Sequence, residues 1–257
     1  MGSNWRVPLD YFQSDGVRLA YKVEGEGAPI VLVHGFASTH GVNWIEPGWV
    51  ETLAKVGRQV ILFDLRGHGE SDDPVEVAAY DRAIMAGDVV ALLDHLSIAR
   101  ADIMGYSLGA MLSLRFAMDH AERCGAVVLA GVGDKLFAPS GQIEPVVNAL
   151  LADSLHDATT PVGRAFRAFA DRNGQNREAL AACYSVPRDK LTDEILGRVE
   201  APVLVVAGER DEIAGSAERL AASFPNGEAV TIPRRDHMRT VGDPAYKQAV
   251  LDFLQKA

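Results

Sequence analysis

Six short aliphatic runs recur along the chain: PIVLVHG at 29–35, RQVILFD at 58–64, ADIMGYS at 101–107, GAVVLAG at 125–131, PVLVVAG at 202–208 and EAVTIP at 228–233. Each is mostly apolar from end to end. That is what a strand needs when both faces of its sheet are covered, as in a parallel sheet. The stretch VRLAYKVEG at 17–25 instead alternates, like a half-exposed strand. Between the runs, apolar residues recur at helical spacing: Ile84, Val89, Leu92, Leu93 and Leu96; Met111, Leu112, Leu114 and Phe116; Ala249, Val250, Phe253 and Leu254. The alternation predicts an α/β fold, a mostly parallel, doubly wound, eight-stranded sheet that opens with an antiparallel hairpin.

One interval breaks the rhythm. From the run ending at Gly131 to the one beginning near Val203 lie roughly seventy residues with no convincing strand, far more than an ordinary connection. Ile143, Val146, Val147, Leu150, Leu151 and Leu155 fit one amphipathic helix, Val162, Phe166 and Phe169 a second, and Leu180 with Tyr184 a third. These stripes need the sheet to cover them, so residues 133–198 are expected to form a helical cap inserted into a core of 1–132 and 199–257. Trp44, Phe137, Phe166 and Phe169, with Tyr184, are candidates for the wall of a substrate pocket, and ordinary packing of cap on sheet is the competing reading for each.

With 25 basic and 35 acidic residues, the formal charge of −10 argues against a nucleic-acid partner. Cys124 and Cys183 have no CxxC spacing, so neither a disulfide framework nor a zinc knuckle is expected. No paired-ligand spacing suggests a metal and no phosphate-binding glycine pattern suggests a dinucleotide, so no cofactor is expected. MGSNWRVPLD lacks an apolar signal core, Arg6 stands where a myristoylation signal needs Ser or Thr, and no run is long enough to span a bilayer. The expectation is a cytoplasmic protein acting on a small molecule.

The stretch DIMGYSLGAM at 102–111 ends a core strand in a serine framed by two glycines. Gly and Ser also make ordinary turns, where glycine supplies positive φ. A strand–turn–helix setting gives G-x-S-x-G another meaning, in which Ser107 is a nucleophile lifted above the sheet and side chains at Gly105 or Gly109 would strike neighbouring backbone. A serine needs a base, and the base needs an acid to hold it. His237 follows the last strand run. Asp211 follows the run before it, Asp134 follows the one ending at Gly131, and Asp236 adjoins His237. The order Ser107, Asp211, His237 fits, with Asp134 in reserve and Asp236 weakest, because adjacent side chains on an extended loop diverge.

Three motifs now stand at successive strand ends: VLVHGFAS at 31–38, DLRGHGESD at 64–72 and GYSLG at 105–109. In this order they resemble those of the α/β-hydrolase superfamily, with a match running from about Tyr21 to the C-terminus. The resemblance implies a catalytic Ser107–His237–Asp211 triad and an oxyanion hole formed by the backbone N–H groups of Phe36 and Leu108. It also implies structural roles for His34, His68 and Arg66. His40, His95, His120 and His156 are expected on surfaces or helix faces.

The function expected is hydrolysis of a small carboxylic ester through an acyl-enzyme. The same residues would serve a lactone, an enol-lactone or a C–C bond beside a carbonyl, since reaction choice lies in the pocket. A ligand-binding receptor that reuses the fold without catalysis is the alternative from another class.

Overall fold

The computed structural model describes residues 9–139, 141, 143–188 and 190–257. The readings made on residues 1–8 lie outside the described residues. Strand β1 (Asp10–Ser14) pairs antiparallel with β2 (Val17–Glu24) across Asp15-Gly16. Both turn residues take positive φ, 46° and 76°, the conformation that a two-residue hairpin demands. Six strands follow: β3 (Ala28–Val33), β4 (Arg58–Phe63), β5 (Ala101–Tyr106), β6 (Cys124–Ala130), β7 (Val203–Gly208) and β8 (Gly227–Ile232). The sheet order is β1-β2-β4-β3-β5-β6-β7-β8, and all pairings from β4 onward are parallel.

The continuous aliphatic runs have the reason expected of them. Along β3, Val31 and Val33 enter one core cluster while Ile30 and Leu32 enter another on the opposite face. Helices α1 (Trp49–Ala54) and α9 (Pro244–Leu254) cover the second face, while α2 (Arg82–His95), α3 (Leu108–Asp119) and the short α8 (Ala217–Ala221) cover the first. The chain runs from β3 to β4 on one side and then to β5 on the other. This reversal opens a crevice at the carboxyl ends of β3 and β5, where ligands settle in such sheets.

Between β6 and β7 stand α4 (Ile143–Leu151), α5 (Pro161–Arg172), α6 (Arg177–Ser185) and the single turn α7 (Asp193–Leu196). The first of these is shorter than its apolar stripe suggests. It ends at Leu151, and Leu155 belongs to a separate turn that Ser154 and Asp157 start with a reciprocal capping box. Val146, Leu150, Ala170, Leu180 and Ala181 form the insertion's own small core, which closes on Phe36 and Ala37 of the loop after β3. No described helix is long and apolar enough to cross a membrane.

Candidate active site

Ser107 sits between β5 and α3 at φ 53° and ψ −110°, a strained conformation for a residue with a side chain. The positive φ falls on the serine itself, not on its glycines. Gly105 and Gly109 are needed for space. A methyl at Gly105 would overlap the Gly109 carbonyl, and one at Gly109 would overlap the Val33 carbonyl. The Ser107 amide bonds the Ala130 carbonyl at 2.8 Å, which ties the corner to β6.

His237, on the loop after β8, brings Nε2 to 3.1 Å from Ser107 Oγ. Its Nδ1 lies 2.8 Å from Asp211 Oδ2. The Tyr106 hydroxyl donates to the His237 carbonyl, so the strand that carries the serine also fixes the histidine's backbone. Burial raises the proton affinity of Asp211, but its hydrogen bond to His237 and the amides of Ala214 and Ile213 outweigh that effect. The carboxyl is held below its ordinary value. An imidazole flanked in this way can take a proton from the hydroxyl while the carboxylate steadies the imidazolium that forms.

The other two aspartates are committed elsewhere. Asp134 Oδ1 accepts from the Ser216 amide at 2.7 Å, binding the start of the insertion to the loop that carries Asp211. Asp236 Oδ1 accepts from the amides of Met238 and Arg239 at 3.1 and 2.9 Å, in a turn that presents His237.

The Phe36 N–H and the Leu108 N–H donate to no other group among the described residues. Leu108 is the first residue of α3, where helix geometry leaves amides free. The loop bearing Phe36 is pinned from several sides. The Gly35 amide donates to Asn43 Oδ1 at 3.0 Å. His34 Nδ1 bonds the Gly35 carbonyl at 2.8 Å, and its Nε2 accepts from Leu65 N at 3.0 Å. That acceptor role fixes the neutral tautomer, and burial above all keeps His34 from protonating. Burial, with His34 beside it, also lowers His68 to about 3. Arg66 forms a fully buried bidentate pair with Asp88 at 2.9 and 2.6 Å.

His40 departs from expectation. Its ring pairs with the buried Asp64 at 2.8 Å and is 14% exposed, so it belongs to the loop scaffold and not to the surface. The sequence pattern showed a polar DLRGHGES loop but not the residue that comes from elsewhere to pair with its aspartate.

The recess beside Ser107 is walled by Met111, Val132, Leu136, Arg188, Ile213 and Ala214. None of the aromatic pocket candidates is among them. Trp44 is fully buried on the face covered by α1 and α9, its ring 6.3 Å from Trp49, because that side of the sheet needs large apolar volume. Phe137 packs beneath the Arg219 guanidinium, 4.6 Å away. Phe166 and Tyr184 close on Phe36 with ring centroids 5.5 and 5.1 Å apart, and Phe169 joins the same cluster. The sequence did carry a signal for Met111, which lies one helical turn beyond Ser107 on the same face.

The family model for the alpha/beta hydrolase fold matches residues 28–177. A dihydrolipoyllysine-residue acetyltransferase component of an acetoin cleaving system from Pseudomonas putida is 29% identical over 92% of this chain, which spans 66% of that protein's length. Among solved structures, a hydrolase from Pseudomonas aeruginosa PA01 superposes with a TM-score of 0.80 at 29% identity, covering 98% of this chain and 99% of that one. The enol-lactonase from Burkholderia xenovorans LB400 gives a TM-score of 0.77 at 25% identity, covering 96% of this chain and 100% of that one. Sheet order, elbow and matched model agree, and the chain belongs to the α/β-hydrolase fold family.

Proposed function

We propose that the protein is a cofactor-independent serine hydrolase that cleaves small carboxylic esters. Ser107 attacks the carbonyl carbon as His237 takes its proton, and Asp211 holds the imidazole in the productive tautomer. The amides of Phe36 and Leu108 receive the carbonyl oxygen as it gains charge. His237 returns the proton to the departing alcohol, and water then repeats the sequence on the acyl-enzyme. Residues 133–198 act as a cap over a core of 1–132 and 199–257, screening substrates at the crevice.

The observation that carries this reading is the unbroken chain Asp211–His237–Ser107 at 2.8 and 3.1 Å. A receptor needs the pocket but has no use for a hydroxyl bonded to an oriented imidazole. The test is reaction with a fluorophosphonate, followed by turnover of p-nitrophenyl acetate. Labelling confined to Ser107, with turnover, is the expected result; folded protein that does neither would overturn the proposal.

A second reading keeps the same residues and changes the bond, to a lactone or enol-lactone. It is favoured by the likeness to the enol-lactonase. Comparing open-chain esters with lactones of equal carbon number separates the two. Relatives also include a haloalkane dehalogenase, but Ser107 stands where carbon–halogen displacement in this superfamily uses an elbow aspartate.

A further inference from the structure

The recess beside Ser107 does not stop there. A second recess shares Met111, Leu136 and Arg188 with it and continues past Leu114, Arg115 and Met118 to Arg82. Ser107, Met111, Leu114, Arg115 and Met118 lie on one face of α3 and its start, so the joined groove follows that helix. Ser107 to Leu114 is two turns, ~11 Å at the helical rise. The walls nearest the serine are apolar, and the far end is cationic in a protein of net charge −10.

Arg82 is the unusual member. It is 9% exposed, and its Nε is buried without a hydrogen-bond partner. Its other contacts are all with uncharged groups: the Met85 sulfur at 3.7 Å, the Val186 carbonyl at 3.3 Å and the Cys183 thiol. Among the described residues no carboxylate pairs with it, whereas its neighbour in the groove, Arg115, pairs with Asp119. Arg66, buried more deeply still, meets Asp88 through two hydrogen bonds. A desolvated guanidinium without a counter-charge is strongly unfavourable. Its planar donor fork is suited to a carboxylate arriving from outside.

We propose that Arg82 is the anion-reading residue of a substrate subsite, and that the preferred substrate is an ester or lactone whose apolar chain ends in a carboxylate. The substrate then lies along α3, with its scissile carbonyl at Ser107 and its anionic end at Arg82. This rests on the hydrolase reading for turnover but not for binding, so the two can fail separately.

The test uses adipate and its neutral analogue adipamide as inhibitors of p-nitrophenyl acetate turnover. Adipate is expected to compete at least ~10-fold more strongly than adipamide, a range that one charge-assisted pair readily supplies. Arg82→Gln should bring that ratio to within about twofold of unity, and Arg82→Lys should retain part of it. Equal inhibition by the two compounds in the wild type overturns the subsite, as does an unchanged ratio in folded Arg82→Gln. Should Arg82→Gln fail to fold, the wild-type ratio and its loss with rising salt still decide. Calorimetry of Ser107→Ala with monomethyl adipate separates the readings. Binding without wild-type turnover keeps the subsite and removes the hydrolase, while wild-type turnover without preference for monomethyl over dimethyl adipate does the reverse.

Discussion

The carboxyl ends of the sheet and the helical insertion that meets them hold their residues by different means. At the sheet ends, backbone atoms do most of the fixing. Ser107 N bonds Ala130 O, Gly35 N bonds Asn43, Tyr106 holds the His237 carbonyl, and Asp211 is gripped by two amides. The insertion rests on side chains: a small aliphatic core, the Phe36–Phe166–Tyr184 rings, and the Asn173 amide reaching the Ala37 carbonyl at 3.0 Å. Its outer face leaves Leu151, Leu155 and Val162 exposed. Backbone-fixed geometry cannot shift by a fraction of an ångström without losing several bonds together. Side-chain packing can be altered piecemeal, so the two regions should answer mutation differently, the first in rate and the second in selectivity.

The largest effect tests the sheet end. Ser107→Ala should lower kcat by ~10⁴-fold or more while leaving the melting temperature nearly unchanged, because nucleophile and base act as a unit. Ser107→Gly should be equally inactive but more stable by about 1 kcal/mol, since glycine accepts the strained corner. If the glycine variant is the less stable of the two, the elbow is not strained.

Next comes the proposed acid. Asp211→Asn should lower kcat about 10²- to 10⁴-fold with the fold intact, since the amide supports the wrong imidazole tautomer. Asp134→Asn, on the seam between the two regions, should lower kcat by less than about tenfold. Steady-state kinetics of the pair decides, and a crippled Asp134 variant would transfer the orienting role to the insertion's own stem.

Stability against pH sharpens the same contrast. Folded His68 titrates at about 3, against ~6.5 in an unfolded chain. Between those values the unfolded state holds the proton and the folded state does not, so stability falls as pH drops below ~6.5, by up to about 1.4 kcal/mol per pH unit. Burial pushes His34 in the same direction. Urea titrations from pH 7 to 4.5 should show this slope, and His68→Asn should flatten it. An unchanged slope in that variant would assign the acid lability elsewhere.

The smallest effect belongs to the insertion. Phe166→Ala should redistribute kcat/KM among acyl chain lengths by several-fold, about 1–2 kcal/mol, by loosening the packing of the insertion on Phe36 and not by enlarging the recess itself. It should leave the rate of fluorophosphonate labelling within about threefold. If labelling slows as much as it does in Asp211→Asn, packing in the insertion sets the sheet end after all, and the contrast fails.

Much of this was legible in the chain. Uninterrupted aliphatic runs report burial on two faces, a local property that β3 displays residue by residue, and helical spacing located α2, α3 and α9. The framed serine was legible because a corner that brings backbone against backbone admits only glycine at Gly105 and Gly109. Asp15-Gly16 carried a hairpin signal of the same local kind. Other features have no local signature. Asp211, Asp134 and Asp236 all follow strands, and only the direction in which each loop leaves the sheet brings Asp211 to His237 and commits the others to nearby amides. Trp44 and Phe166 look alike as aromatic residues near a crevice, yet crossover connections send one beneath the sheet and the other against Phe36. The recess walls come from α3, the stem of the insertion and the loop after β7, and Arg82 reaches the same groove from the start of α2. Periodicity and spacing decide what each segment becomes. Which side chains meet across long sequence separation is decided by the order in which the strands assemble.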